Sequence, residues 1–578
     1  MGIDRRRFLS TLPALGAAAA LPEALEAVES APAAVTPEAL AASERLLGLE
    51  FSEADHQLAL KGVAENLEDY RKIREVALPN SVAPALVFDP LPQGFAVPQG
   101  EIHATLAAAP ASRPASDDEL AFASVATLSR LLAAGKVSCR ELTELYLSRL
   151  ERYDPLLHCV ITLTRERALA EAERADRERR EGRLCGPLHG IPWGAKDLLA
   201  ARGYRTTWGA EPYQDQMPAE DATVVARLAG AGAVLLAKLS LGALAWGDVW
   251  FGGKTRNPWL PEQGSSGSSA GSAAATAAGL VAFALGSETY GSIVSPSSRC
   301  GTTGLRPTFG RVSRAGAMAL SWSMDKLGPI ARSVEDCALI FAAIAGPDGL
   351  DRPVYGAPFR WPLAVEPGRL RLGYVRSLFE AKPGEGGEES HANDLATLRQ
   401  LEAMGFTLVP IELPQDLPIG PLSVLLNAEA AAAFDDLTRS GRDDLLTRQE
   451  EQAWPNVFRL SRLIPAVEYL QANRVRTLLI ARMAELMQTV DAYLAPSFGG
   501  ENLLLTNLTG HPAVVLPNGF RKDGTPTSIT FTGRLFEEDR LLAVAMAYQQ
   551  ATDFHLRHPD LEAARTPAAP VSPKAEKT

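Results

Sequence analysis

Apolar and polar positions along this chain change period often enough to mark its elements. Ser138-Cys139-Arg140-Glu141 sets a hydroxyl three residues before a carboxylate, and Leu142, Leu145, Leu147 and Leu150 follow on the helical side. That pattern predicts a capped helix beginning at Ser138. Residues 165–182 predict a second helix, apolar only at its start and charged beyond it. Ala233-Val234-Leu235-Leu236-Ala237 is a short unbroken apolar run, which predicts a buried strand. Gly203-Tyr204-Arg205-Thr206-Thr207 predicts a loop, and Ser333-Val334-Glu335-Asp336 predicts another helix cap. Short apolar runs alternating with helices indicate a layered α/β fold, and no tandem repeat interrupts it.

One stretch departs from this alternation. Residues 264–300 cluster serines and glycines at both ends, with Ser265, Ser266, Ser268 and Ser269 at the start and Thr289-Tyr290-Gly291-Ser292 beyond. Between them, residues 273–285 are small, apolar and helix-forming, which predicts one helix long enough to cross a core. A flexible Gly/Ser linker contains no such run. The polar turns are therefore pinned by a buried element, the arrangement by which a scaffold presents reactive hydroxyls.

A serine hydroxyl is a weak nucleophile until a base takes its proton. No histidine lies near either serine cluster in sequence, and only eight exist. Lys196 follows the apolar residues Ile191-Pro192-Trp193-Gly194-Ala195, and desolvation lowers a lysine pKa by up to about 3–5 units. A neutral lysine is a competent base. Gly267-Ser268-Ser269-Ala270-Gly271 also satisfies G-x-S-x-G, a nucleophile elbow, with His555 or His558 as its base. That motif should follow a buried strand, whereas Trp259-Leu260-Pro261-Glu262-Gln263 carries a proline, so its context fails.

With these motifs stand Gly186-Pro187-Leu188-His189-Gly190-Ile191-Pro192, Lys196-Asp197, Arg311-Val312-Ser313-Arg314 and Asn507-Leu508-Thr509-Gly510-His511-Pro512. In that order, over residues 119–345 and 490–558, the chain resembles the amidase signature enzymes, which use a Ser–cis-Ser–Lys triad. The resemblance implies a large mixed twisted sheet flanked by helices, folded as one α/β unit over residues 118–565. It implies that Ser292 is the nucleophile, that Ser268, 24 residues earlier and preceded by a cis peptide, relays the proton, and that Lys196 is the base. The backbone N–H groups of Thr289, Tyr290 and Gly291, with that of Ser292, take the oxyanion-hole positions. The implied activity is hydrolysis of a carboxylic amide C–N bond without cofactor or metal. Esters or carbamates would suit the same triad, and a catalytically silent binding protein is the alternative outside enzymology. Asp197 is expected to hold a backbone turn rather than carry a proton, because a close carboxylate would keep Lys196 charged. His189 and His511 are expected to be structural.

Two departures from the family pattern bear on substrate. Tyr290 stands where glycine is usual, so a ring is expected to line the pocket. Val294 and Ser295 stand where many relatives carry an arginine, which predicts poor use of small anionic amides. Trp208, Tyr213, Trp246, Trp250 and Trp322 suit a neutral, apolar or aromatic acyl group or peptide amide, although most are expected to pack the core.

Composition then narrows the partners. A chain of 578 residues, 46% hydrophobic, has enough apolar residues for a large core. Its net charge of −12 argues against nucleic acid, and no stretch approaches a membrane span. A homo-oligomer is compatible with the sequence. Five scattered cysteines with no CxxC pair do not make a disulfide framework. Arg5-Arg6-Arg7-Phe8-Leu9, a weakly apolar run and Ala31-Pro32-Ala33 resemble a twin-arginine signal over residues 1–33, which places the mature protein in the periplasm or outside the cell. Residues 34–117 are expected to be a helical extension followed by a Pro/Ala-rich connector, 352–454 a variable surface region, and 566–578 a disordered tail.

Overall fold

The short apolar runs pair edge to edge into one 11-stranded sheet in the computed structural model, which describes residues 35–565. Its strands in chain order are β1 (Val160–Leu163), β2 (Pro192–Lys196), β3 (Val234–Leu239), β4 (Phe283–Glu288), β5 (Thr303–Arg306) and β6 (Lys326–Ala331). They continue as β7 (Arg371–Val375), β8 (Thr407–Ile411), β9 (Ala492–Pro496), β10 (Ala513–Phe520) and β11 (Pro526–Gly533). Across the sheet the order is β8-β7-β9-β11-β10-β5-β6-β4-β2-β3-β1. Strands β8, β7 and β9 are parallel, as are β4, β2 and β3. The pairings from β9 through β11, β10, β5 and β6 to β4 are antiparallel. Every residue of β2, β3 and β4 is buried, which is why their sequences are not half polar.

The described residues form two compact units divided after Pro79. The first is a helix pair, α1 (Pro37–Leu47) and α2 (Glu53–Arg74), with a Ser52–Asp55 capping box and a His56–Glu44 contact of 2.9 Å. The second holds everything from Asn80 onward, so the extension expected to reach residue 117 ends sooner. The Pro/Ala-rich stretch belongs to the second unit because its backbone finds partners there. Ile102–Ala104 pairs in parallel with Phe359–Trp361, and Asn80 donates to the Ala319 carbonyl at 2.8 Å while accepting its N–H at 2.7 Å.

Helix α3 (Cys139–Leu157) begins with the expected Ser138–Glu141 capping box, and α4 (Arg165–Arg180) is the charged helix. The run at 273–285 is not one helix. Helix α5 (Ala270–Ala277) stops, Gly279 turns the chain at φ +63°, and β4 begins at Phe283. Leu280-Val281-Ala282-Phe283 carries the β-branched and aromatic residues that fit a central strand, and Gly279 supplies a left-handed conformation at no steric cost. Helix α6 (Val294–Cys300) follows β4, and α7 (Val334–Ile344) is capped by Ser333 as expected. All five cysteines are free, and only Cys185 is exposed. No helix among the described residues is long and apolar enough to cross a membrane. The signal-like segment at 1–33 and the tail at 566–578 lie outside the described residues.

A Cβ at residue 279 would lie 2.8 Å from the Phe122 ring as well as forcing a positive φ. Gly279→Ala should lower the unfolding free energy by about 1–3 kcal/mol. An unchanged urea midpoint would remove Gly279 as the required break between α5 and β4.

Candidate active site

Strands β2 and β4 run parallel, and their carboxyl ends deliver the polar residues of the site, as open α/β sheets commonly do. Lys196 is the last residue of β2, so its side chain leaves a strand whose every residue is buried. Its Nζ lies 2.8 Å from Ser268 Oγ, 2.9 Å from Ser287 Oγ, 3.0 Å from Ser269 Oγ and 3.5 Å from the Ser287 carbonyl. No carboxylate forms an ion pair with it among the described residues. Burial therefore pushes the amine well below the ordinary lysine range, against a weaker upward pull from Asp325 and Glu288.

The hydroxyls around Lys196 are not equivalent. Ser269, at the start of α5, donates to the Ser287 carbonyl at 3.1 Å and accepts the Ser287 N–H at 3.2 Å, so its proton is committed. The Ser268 hydroxyl meets only Lys196 among the described residues, which leaves its proton free to move. The Gly267–Ser268 peptide is cis. Gly267 is pressed against the backbone of Gly247, where a Cβ would fall 1.8 Å from the carbonyl oxygen. Ser292 lies in the turn from β4 to α6, and its carbonyl accepts the Ser269 N–H at 3.2 Å, tying the two serine loops together. Ser292 lines the pocket, while Ser268 and Lys196 are buried behind it, at 1% and 0% exposure; the structure joins Lys196 to Ser268 but records no hydrogen bond from the Ser292 hydroxyl to Ser268.

Two buried acids hold the Ser292 turn. Glu288 Oε2 accepts the N–H groups of Ile293 and Val294 at 2.8 and 2.9 Å. Its Oε1 accepts from Arg306 at 2.7 Å and Asn507 at 2.9 Å. Burial pushes the Glu288 carboxyl up, but the Arg306 guanidinium and these donors bring it down to about 2. Asp325 accepts from Thr289 Oγ1 at 2.5 Å and from the N–H groups of Leu320 and Ser321 at 2.8 and 3.0 Å. The N–H groups of Tyr290, Gly291 and Ser292 have no acceptor among the described residues.

Ser292, Thr289 and Tyr290 line a pocket of about 670 Å³. Trp246, Leu320, Leu426, Trp454 and Val457 give it an apolar wall, and Asp248, Lys254, Arg299, Asn427 and Gln452 a polar one. Tyr290 is 46% exposed in it. Of the tryptophans named from sequence, Trp246 reaches the pocket, 6.0 Å from Trp454. Trp208 and Tyr213 pack together at 4.5 Å against the core, and Trp250 is buried. Cationic side chains also reach the pocket, although residues 294 and 295 are not arginine.

Asp197 does hold a turn: it accepts from Thr207 N at 2.7 Å and Oγ1 at 2.5 Å, and it pairs with Lys238 at 2.6 Å. His511 bonds Thr509 at 2.8 Å and burial keeps it neutral, its pKa lowered to about 3. His189 Nε2 faces the Ala175 carbonyl at 2.9 Å, and its donor atoms lie within 4.8 Å of those of Glu178 and Cys185, the one potential metal-ligand group among the described residues. A short strand, Leu260–Gly264, does precede the G-x-S-x-G motif despite Pro261, but in a two-stranded ribbon outside the large sheet. Ser269 is fully buried, and His555 and His558 line a different cavity with Phe122. Sequence reasoning did not single out Ser287, Glu288, Arg306, Asp325 or Trp454. A glutamate directly before Thr289-Tyr290-Gly291-Ser292 was the available signal, but its partners come from elements that only the folded sheet brings near.

A family described as Amidase matches residues 141–506. A glutamyl-tRNA(Gln) amidotransferase subunit from Synechococcus sp. (strain WH7803) is 36% identical over 482 residues, 75% of this chain and 98% of that protein. Its counterpart from Azotobacter vinelandii (strain DJ / ATCC BAA-1303) is 37% identical over 487 residues, 75% of this chain and 99% of its own. The solved native peptide amidase from Stenotrophomonas maltophilia superposes with a TM-score of 0.66 and 32% identity, over 76% of this chain and 98% of that one.

The Glu288–Arg306 pair generates an acid-stability prediction. Glu288 is held near 2 against an ordinary 4.5, so the stability it adds is complete above about pH 4.5 and is lost as the pH falls toward 2. Glu288→Gln should destabilise the protein by about 3 kcal/mol at pH 7, because Arg306 is left buried without its counter-charge. In urea titrations at pH 7 and pH 3 the gap between variant and wild type should narrow in acid. A constant gap would separate Glu288 from the acid response.

Proposed function

We propose that this chain, which belongs to the amidase signature family, hydrolyses a carboxylic amide C–N bond through an acyl-enzyme on Ser292. One observation carries the reading: the buried nitrogen of Lys196 has hydroxyls rather than carboxylates for neighbours. A neutral amine has a lone pair to receive a proton, and the hydroxyls of Ser268 and Ser287 both have no other acceptor among the described residues; Ser268, next to the pocket-lining Gly267, is the one assigned to the relay. Ser292 attacks the carbonyl carbon, its proton passes to Ser268 Oγ, and the Ser268 proton passes to Lys196 Nζ. The same path run backwards protonates the departing amine. Water then attacks the ester, and its proton follows the inward route before the Ser292 oxygen is released protonated.

Charge developing on the carbonyl oxygen needs donors already in place. The N–H groups of Thr289, Tyr290, Gly291 and Ser292 are carried by a turn that Glu288 and Asp325 hold from behind, and each well-placed donor is worth about 2.7–4 kcal/mol. The ring at Tyr290 does not interfere, because the donors are backbone groups. Trp246, Trp454 and Tyr290 support a neutral, apolar or aromatic acyl group or peptide amide. Serving a tRNA-dependent amidotransferase would require a tRNA, and a net charge of −12 gives this chain no electrostatic attraction for RNA. Arg5-Arg6-Arg7-Phe8-Leu9 supports export of the folded enzyme to the periplasm or beyond.

Ser292→Ala and Lys196→Ala should each lower turnover of an aryl amide by about a thousandfold or more. In wild type, kcat/KM should fall on the acid side as Lys196 gains its proton. Fluorophosphonate labelling followed by peptide mapping should place the label on Ser292 and lose it in Lys196→Ala. Undiminished turnover in purified Ser292→Ala would overturn the mechanism.

A further inference from the structure

Beside the catalytic pocket lies a second cavity of about 590 Å³, and Arg299 lines both. Arg299 is the sixth residue of α6, about 8 Å of helix rise beyond Val294, and Ser292 lies in the turn just before that helix, so about 10 Å separates the two positions. Its guanidinium donates to the neutral Gln263 Oε1 at 3.1 Å. Arg521, in the turn between β10 and β11, faces the same cavity and also has only neutral acceptors. These are Ser390 Oγ at 2.9 Å, Thr525 Oγ1 at 3.3 Å and the Pro526 carbonyl at 2.7 Å. Burial, and then the nearby charge of Arg299, lower the Arg521 pKa.

Two carboxyl groups line the cavity, and both are engaged elsewhere. Asp523 accepts from Thr525 N at 2.9 Å and Oγ1 at 2.6 Å, and Asp394 accepts from Asn518 at 2.8 Å. Burial pushes the Asp394 carboxyl up to about 7, which weakens it as a counter-charge.

The hydroxyls of this cavity have a proton to spare. Ser528 lies 2.7 Å from Ser298 Oγ and 2.9 Å from Ser497 Oγ, and Thr530 donates to Ser497 at 2.9 Å. Four hydroxyl protons thus face three contacts, and no carbonyl or carboxylate accepts from the group among the described residues. Ser298 and Ser497 are buried, with 4% and 7% exposure, and both line the cavity. Neither guanidinium forms an ion pair, although Asp523, Glu389 and Asp394 pull on Arg521 from a distance, and with the surplus hydroxyl donor they favour an anionic acceptor.

We propose that the cavity holds a carboxylate carried by the amide substrate at the end remote from the scissile bond, with Arg299 and Arg521 as its cationic ligands and Ser298 and Ser497 as further donors. This rests on the amidase reading and narrows its substrate from a wholly neutral acyl group to an apolar chain that ends in a carboxylate. A gap of about 10 Å corresponds to a spacer of about eight bonds, so an acid close to the amide does not reach the site. A separate small dicarboxylate would present the same chemistry.

The test compares the monoamide of nonanedioic acid with nonanamide, on the full chain. The acid should be preferred by about tenfold or more in kcat/KM, as expected for a charge-assisted contact, and the preference should fall to near one in Arg299→Gln and Arg521→Gln. Arg521→Lys keeps the charge and should retain part of it. A ratio near one in wild type, or a ratio that survives both glutamine variants, overturns the proposal. Calorimetric binding of nonanedioate to the Ser292→Ala protein separates this result from failure of the amidase reading. If neither amide is turned over but nonanedioate binds and both arginine variants lose it, the anion site stands and the amidase reading falls. Absence of binding overturns the site. Glutarate that binds without inhibiting turnover of the long monoamide reassigns the cavity to a separate anion, and the substrate claim fails.

Discussion

Burying the nitrogen of Lys196 dictates what every neighbour is allowed to be. An ammonium placed there without a counter-ion is held at a cost of several kcal/mol, so the group is stable as the neutral amine. That holds only while nearby carboxylates stay occupied. Asp197, adjacent in sequence, is taken by Lys238 and Thr207. Glu288 is taken by Arg306, and Asp325 by Thr289 and two backbone amides. Asp325 and Glu288 act on Lys196 electrostatically, and all three acids are turned to another task. The basicity of one side chain is thus set by three separate arrangements around it.

Two of these acids, Glu288 and Asp325, also build the turn that carries Ser292. Glu288 fixes the first amides of α6 with one oxygen and answers Arg306 and Asn507 with the other. One residue serves two ends here, because the carboxylate that shapes the turn would hold Lys196 charged if it were released toward that nitrogen. Arg306 prevents that from the middle of the sheet, where β5 lies between β10 and β6.

Sequence made the layered α/β class legible, because buried strands and capped helices leave local marks. The Ser138–Glu141 capping box and the buried run at 234–239 are such marks, and both elements form where their residues ask for them. The run at 273–285 reads as one helix because its small apolar residues satisfy either state, and the turn at Gly279 is settled by packing against Phe122. Motif alone singled out Lys196, Ser268 and Ser292, and the fold brings Lys196 and Ser268 to 2.8 Å. Motif did not single out Ser287 or Glu288, since nothing local distinguishes a strand-end Ser-Glu from solvent-facing polarity. Trp454 lies in a region that carries no motif, and its place in the pocket wall follows from long-range packing.

The partners of Glu288 are spread along the chain in a way that bears on its synthesis. Arg306 is 18 residues away, but Asn507 is 219 residues away, near the end of the matched family region. A nascent polypeptide that has already emitted Lys196, Ser268 and Ser292 still lacks the amide side chain that completes the clamp. The Ser292 loop is therefore fully clamped only when most of the protein has left the ribosome. A chain still being made leaves one acceptor of Glu288 without its final donor.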